Sequence, residues 1–284
     1  MRHSIQIRQE EHFEKLLSLA ANAGFREVSV SFGSDDLFFR DDYASALLGV
    51  AKLLDKYGLQ CTQTHLPCYH LLVSSEEVTE ETERAIRRAI EGSGELGAAW
   101  TAFHPRTAVN QGFDRTLSFR HNREALLGYL EVAERSGCGI GVENMPLYPG
   151  SHPEWRFFGG GFEELCELCD SLDSDKIGIC WDFGHAHTAA LDQPKALLRV
   201  GDRLKITHVH DNFRNSDHHQ MPLLATNGGG IDWAPVMQSL SAIDYRGPLA
   251  LELTYPPEDM LEPFVKCGYA CLTHLKGLAA TPGK

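Results

Sequence analysis

The chain has 284 residues, and its 26 lysines and arginines against 39 aspartates and glutamates give a formal net charge of −13. Such a surface repels polyanions, which makes nucleic acid a poor default partner. No apolar stretch approaches the roughly 20 residues that span a bilayer, which excludes a membrane partner, and the N-terminal residues lack the apolar core of a signal peptide. We therefore expect a cytoplasmic protein, and the absence of a linker predicts one domain over residues 1–284.

Strands and helices are predicted to alternate along the whole chain. Hydrophobic periodicity predicts strands at residues 4–8, 27–32, 59–65, 98–104, 139–144, 176–182, 203–210 and 248–253. It predicts helices at residues 10–23, 41–57, 79–96, 121–136, 162–172, 193–200, 232–241 and 256–275. This alternation is typical of a parallel sheet, and the number of units predicts an α/β fold, a single (β/α)8 TIM barrel.

The long connections follow the third, fourth, fifth and seventh strands, at residues 66–75, 105–120, 145–161 and 211–231. Each one begins at the C-terminal end of a strand, so all of them belong to the same face of the barrel. In this fold that face carries the active site.

The ends of four successive strands carry side chains that bind metals, namely Glu143, Asp182, His208 and Glu252. A buried carboxylate needs a counter-charge. Lys205 and Arg246 are candidates, but they lie towards the starts of their strands. A divalent metal is the better partner: carboxylates with one imidazole suit Mn²⁺, Mg²⁺ or Co²⁺, and the surplus of histidines admits Zn²⁺.

Further histidines extend this set. His65 and His104 end the third and fourth strands, each shortly before a proline. His185 follows Asp182 in an Asp-x-x-His spacing, and Gly184 lets the chain turn sharply between them. His208 and His210 lie two residues apart and face the same side of the sheet, so spacing alone does not choose between them.

The loops at the predicted mouth offer additional polar and aromatic residues. Asp217 and His219 are ligand candidates, although a solvated loop explains their polar segment equally well. Trp155 is a candidate to pack against a sugar. Arg106 and Arg214 are candidates to hold a phosphate or carboxylate of a substrate, with plain surface charge as the alternative.

The segments VEN, WDFGHAH, HVHDN and LEL together resemble the xylose-isomerase-like barrel superfamily. Its members include sugar isomerases and epimerases, dehydroshikimate dehydratases and type IV apurinic (AP) endonucleases, and the resemblance covers nearly the whole chain. The epimerases hold one divalent metal with Glu, Asp, His and Glu, which implies Glu143, Asp182, His208 and Glu252 here. His208 is preferred to His210 because the family ligand stands three residues before an acidic residue, here Asp211.

The endonucleases of this superfamily hold three zinc ions with nine ligands. The resemblance implies nine counterparts in this chain: His65, His104, Glu143, Asp182, His185, His208, Asp217, His219 and Glu252. That match favours more than one metal ion. The characteristic endonuclease loop motifs are missing, however, and the net charge of −13 argues against a DNA groove.

We therefore expect a metal-dependent isomerase or epimerase that acts on a small-molecule sugar, sugar phosphate or polyol. Glu143 and Glu252 would be catalytic, one removing a proton beside a carbonyl and the other returning it through an enediolate. Three alternatives stay open: a dehydratase or lyase acting on a keto-polyol, a zinc-dependent AP endonuclease-like phosphodiesterase, and a binding protein without catalysis. A homo-oligomer is compatible with the sequence.

Overall fold

The structure is a computed structural model that describes residues 1–10, 12–32, 36–68, 72–73, 79–148, 156–223 and 229–280. Eight parallel strands close into a barrel in the order β1-β10-β9-β8-β7-β5-β3-β2. These strands are β1 (Arg2–Arg8), β2 (Glu27–Ser31), β3 (Gln60–His65), β5 (Trp100–Phe103), β7 (Gly139–Glu143), β8 (Ile177–Asp182), β9 (Leu204–Val209) and β10 (Pro248–Leu251). Two further strands, β4 (Leu72–Val73) and β6 (Thr107–Ala108), pair with each other outside the barrel. The predicted (β/α)8 barrel is confirmed.

Helices surround the barrel between its strands. They are α1 (Phe13–Ala23), α2 (Tyr43–Tyr57), α3 (Glu80–Glu95), α4 (Arg115–Ser136), α5 (Phe162–Asp170), α6 (Phe183–Thr188), α7 (Gln193–Val200), α8 (Trp233–Ala242) and α9 (Leu261–Ala279). None of the helices in the described ranges is long and apolar enough to cross a bilayer. All eight cysteines are free thiols, including Cys166 and Cys169, which lie one turn apart on α5.

Two helices begin more than about three residues from their predicted starts, and each difference has a local cause. Helix α4 begins at Arg115 rather than 121, because the side chain of Asp114 caps it by accepting a hydrogen bond from the Leu117 amide. Helix α9 begins at Leu261 rather than 256, because Pro257 has extended backbone and disfavours helix at the residue before it.

Side chains of the strands alternate between two environments. Ile5 and Ile7 of β1 belong to the main apolar core, which also includes the inner faces of the helices. Ala102, Cys180 and Ile206 form a separate small cluster inside the barrel. Because residues two apart share a face of a strand, the residues that follow this cluster at the strand ends also point inwards. The barrel interior therefore ends in a layer of polar side chains.

Candidate metal centre

Six strands deliver polar side chains to the C-terminal mouth of the barrel. Glu143, Asp182 and His65 are the last residues of β7, β8 and β3, and His208 is the penultimate residue of β9. His104 and Glu252 follow β5 and β10 directly. All but His104 are buried. The fold thus brings together residues that are up to 187 positions apart, from His65 to Glu252.

A central group consists of Glu143, Asp182, His208 and Glu252. The Nδ1 atom of His208 lies 3.1 Å from Glu143 Oε1, 3.0 Å from Glu252 Oε2 and 3.9 Å from Asp182 Oδ2. One donor atom of each of the four residues lies within 4.8 Å of the others. Ligands at about 2.0–2.1 Å from an ion are about 3.3 Å apart in tetrahedral geometry. The spacing therefore fits a divalent cation.

A second group consists of His65, His104 and Glu143. The two Nε2 atoms lie 3.2 Å apart. Glu143 Oε2 lies 3.4 Å from Nε2 of His65 and 3.2 Å from Nε2 of His104. Glu143 therefore presents Oε1 to the central group and Oε2 to this one, as a carboxylate that bridges two ions would.

A third group consists of His185, Asp217 and His219, joined by His210. Asp217 Oδ2 lies 3.0 Å from His185 Nε2 and 3.4 Å from His219 Nε2. The His210 ring stacks on that of His219, with centroids 4.0 Å apart and planes 4° from parallel. Donor atoms of all four residues lie within 4.8 Å of one another. His208 and His210, which spacing did not separate, thus lie in different groups.

Among the residues that the structure describes, imidazoles supply the ion-pair partners of the carboxylates at the mouth. Within the described ranges, no lysine or arginine forms an ion pair with Glu143, Asp182, Asp217 or Glu252. Lys205 instead donates to the Asp202 carbonyl and Arg246 pairs with Asp244. Such a set of carboxylates and imidazoles has the chemistry of a site for one or more divalent cations.

Electrostatics within the groups favour ionised carboxylates. Burial opposes ionisation of Glu143, but His208 and His104 hold the pKa of its carboxyl well below its ordinary value. Burial likewise opposes a proton on His185, yet Asp182 and Asp217 raise its pKa to about 10. A histidine must lose that proton to bind a metal, so a divalent ion would replace protons here.

Hydrogen bonds between side chains and main-chain groups fix Asp182 in place. Asn144 accepts a hydrogen bond from the Asp182 amide at 2.7 Å and donates to the Asp182 carbonyl at 2.9 Å, which ties β7 to β8. The Asp182 side chain accepts a hydrogen bond from the His185 amide at 2.6 Å and so caps α6. This cap explains the Asp-x-x-His spacing, because it places both side chains at the mouth.

Two of the three predicted substrate contacts, Arg106 and Arg214, do not line the cleft over the cluster. The Arg106 guanidinium is buried against α3 and α4, 2.8 Å from Glu83 Oε1 and 2.9 Å from the Tyr129 hydroxyl. It does not line the cleft, contrary to expectation, because its charge is already paired. Arg214 is exposed, with φ of 68°, and its amide donates to Asn212. Trp155 lies outside the described residues.

A cleft of about 250 Å³ opens over the three groups. Residues that the sequence analysis did not single out also line it: Arg8, Glu10, Ser31, Leu66 and Cys68. Arg8 and Ser31 are the last residues of β1 and β2, so the rule of functional strand ends would have found both. They were missed because the search considered metal-ligand residue types only. Cys68 Sγ lies 3.4 Å from His104 Nδ1.

Several known proteins are similar to this chain in sequence or in fold. The profile of a family described as "Xylose isomerase-like TIM barrel" matches residues 17–265. D-psicose 3-epimerase of Enterocloster bolteae is 23% identical over 259 residues, covering 84% of this chain and 76% of that protein. A Geobacillus kaustophilus protein named "Probable endonuclease 4" is 30% identical over 151 residues, covering 48% of this chain and 46% of its own. A solved D-tagatose 3-epimerase-like protein superposes with a TM-score of 0.70 at 22% identity, over 98% of this chain and 100% of its own.

Proposed function

The chain belongs to the xylose isomerase-like TIM barrel family, and we propose that it is a divalent-metal-dependent isomerase or epimerase of sugars, sugar phosphates or polyols. The supporting observation is the pair of carboxylates that flank one imidazole. Glu143 Oε1 and Glu252 Oε2 lie 3.1 and 3.0 Å from His208 Nδ1, so both carboxylates reach the same ion position and the same cleft. The similarity to a D-psicose 3-epimerase agrees with this chemistry.

The two glutamates divide the proton transfers between them. One carboxylate removes the proton from the carbon beside the carbonyl, and the other returns a proton to the enediolate that forms in the substrate. Delivery to the opposite face of that carbon inverts it, whereas delivery to the neighbouring carbon moves the carbonyl. A divalent ion held by Glu143, Asp182, His208 and Glu252 would supply Lewis-acid stabilisation of the developing negative charge. Mn²⁺, Mg²⁺, Co²⁺ and Zn²⁺ all suit these ligands.

Arg8 supports the inclusion of anionic substrates. Its side chain lines the cleft at the end of β1. None of the ion pairs between described residues involves Arg8. The guanidinium is a planar donor that suits phosphate or carboxylate groups. It would contact the end of the substrate remote from the reacting carbon.

The test is hydrogen exchange in D₂O. The metal-loaded protein is incubated with a panel of ketoses, their phosphates and keto-polyols, and deuterium incorporation beside the carbonyl is followed by NMR. We expect exchange that disappears with chelator, and that is also lost in Glu143→Gln and Glu252→Gln when enough metal is supplied to load their weakened sites. A product that has lost water would assign the alternative dehydratase or lyase reaction, and absence of exchange from every substrate would contradict the proposal.

A zinc-dependent cleavage of phosphodiesters is the second candidate. It is supported by the three neighbouring donor groups, since metal clusters can activate water and neutralise a phosphate, and by the partial similarity to "Probable endonuclease 4". The net charge of −13 opposes it, because duplex binding needs a surface that neutralises phosphates. Metal-dependent incision of an abasic duplex, without deuterium exchange into any sugar, would decide for this candidate.

A further inference from the structure

We propose that Gln6 is a positioning residue that fixes the orientation of the Glu252 carboxylate for a bound divalent ion. The inference rests on the metal site of the proposed function. Gln6 lies on β1, whose Ile5 is in register with Leu251 of β10, so Gln6 stands beside Glu252. Its Nε2 donates to Glu252 Oε1 at 2.7 Å, and both residues are buried.

A second contact sets which way the Gln6 amide faces. Ser29 of β2 is in register with Gln6, and its hydroxyl donates to Gln6 Oε1 at 3.4 Å. The opposite orientation would place Gln6 Oε1 against Glu252 Oε1, and two acceptors at that distance repel each other. The amide therefore has one orientation, with its NH₂ group towards the carboxylate.

This orientation assigns different tasks to the two oxygens of Glu252. Oε1 accepts the hydrogen bond from Gln6, whereas Oε2 lies 3.0 Å from His208 Nδ1, on the side of the ion position. Gln6 thereby leaves one oxygen for the ion and favours a single metal–oxygen bond. Partners behind a ligand commonly fix its geometry in this way.

A second buried glutamine provides a matched comparison. Gln63 of β3 is also buried, but its Nε2 donates to the Thr207 carbonyl at 3.4 Å, and in the described part of the chain no hydrogen bond joins it to the central group. Methionine is similar in volume to glutamine. Gln6→Met and Gln63→Met therefore each remove one amide group from the barrel interior with little change in volume. Only the change at Gln6 removes a hydrogen bond to a metal ligand.

The experiment measures metal retention by the full chain. Wild type, Gln6→Met, Gln63→Met and Ser29→Ala are loaded with Mn²⁺ and titrated with a chelator, which gives the number of ions and their affinities. Electron paramagnetic resonance of the bound Mn²⁺ reports its coordination. Urea unfolding in excess chelator records how much each substitution destabilises the metal-free fold, which separates general loss of stability from loss of metal binding.

We expect Gln6→Met to weaken one Mn²⁺ site by about 10–100-fold and to change its resonance spectrum, because the carboxylate is released to other orientations. Ser29→Ala should weaken the same site less, and it carries the test if Gln6→Met does not fold. Gln63→Met should retain Mn²⁺ like the wild type. Wild-type affinity in Gln6→Met, or equal weakening in Gln63→Met, would overturn the inference. If Gln6→Met does not fold, wild-type affinity in Ser29→Ala would overturn it.

The wild-type titration keeps this inference distinct from the proposed function. A wild-type protein that retains no Mn²⁺ would remove the metal site itself, and the role of Gln6 with it. A wild-type protein that retains Mn²⁺ while Gln6→Met retains it equally well would overturn the role of Gln6 alone.

Discussion

The Nε2 atom of His210 lies 3.0 Å from each carboxylate oxygen of Asp182. Asp182 belongs to the central group and His210 to the third, so this contact joins the two. The His210 ring also rests against the backbone of Gly184, where a Cβ atom would lie only 1.9 Å from its Cε1 atom. The position of His210 thus depends on Gly184, which stands between Asp182 and His185 in the chain.

Gly184→Ala should displace His210 and disturb the mouth. A Cβ at 1.9 Å from a ring carbon forces a shift of buried groups, and overpacking of this kind costs about 1–3 kcal/mol. We expect a lower free energy of unfolding by urea and weaker metal retention. The control is Gly49→Ala on α2, where nothing lies within 4 Å of the added Cβ. That change should stabilise the helix by roughly 0.5–1 kcal/mol, and equal effects from both substitutions would refute the steric explanation.

Asp182→Asn should reduce the metal content while leaving the fold intact. Asparagine can still cap α6 by accepting the hydrogen bond from the His185 amide, but it lacks the negative charge that a divalent ion needs. Elemental analysis of the purified, metal-replete variant measures the outcome. Asp244→Asn, at an exposed ion pair with Arg246, is the control. Undiminished metal in Asp182→Asn would remove this residue from the site.

His185→Ala and His219→Ala should lower the number of bound ions without emptying the central group. Both residues contact Asp217 and neither is needed to hold Glu143 beside His208. Titration with Zn²⁺ followed by native mass spectrometry counts the ions in each protein. One ion in the wild type, unchanged in both variants, would restrict these residues to contacts with substrate or with other ligands.

Arg106→Met should affect stability rather than catalysis. Its guanidinium is buried against Glu83 and Tyr129. Breaking a buried ion pair lowers the free energy of unfolding by roughly 3 kcal/mol at the low end of the usual range, which applies here because Glu83 keeps some contact with water. We expect easier unfolding by urea, with an unchanged KM in the exchange reaction. Arg214→Met is the comparison, since the exposed side chain of Arg214 should leave stability unaltered. A KM raised by Arg106→Met alone would restore its expected contact with substrate.

Much of the site was predictable because parallel strands end at one face. Six of the nine ligand-type residues implied by the resemblance lie at or directly beside those ends, whereas His185 lies on α6 and Asp217 and His219 lie in the loop after β9. Residues whose partners come from distant segments could not be assigned in this way. Arg106 is neutralised by Glu83 from another helix. Gln6 does not have a usual metal-ligand side chain, so its contact with Glu252 became visible only when β1 was placed beside β10.

The closure of the barrel between β1 and β10 also sets when the site can form. Gln6 and Glu252 are 246 residues apart in the chain. During synthesis on the ribosome, the central group therefore lacks one glutamate until the 246 residues that follow Gln6 have been made. Until then β1 and β9 remain edge strands with unpaired backbone groups, which are prone to associate with other chains. A divalent ion held by all four residues of the central group would therefore bind only after β10 has joined β1 and β9.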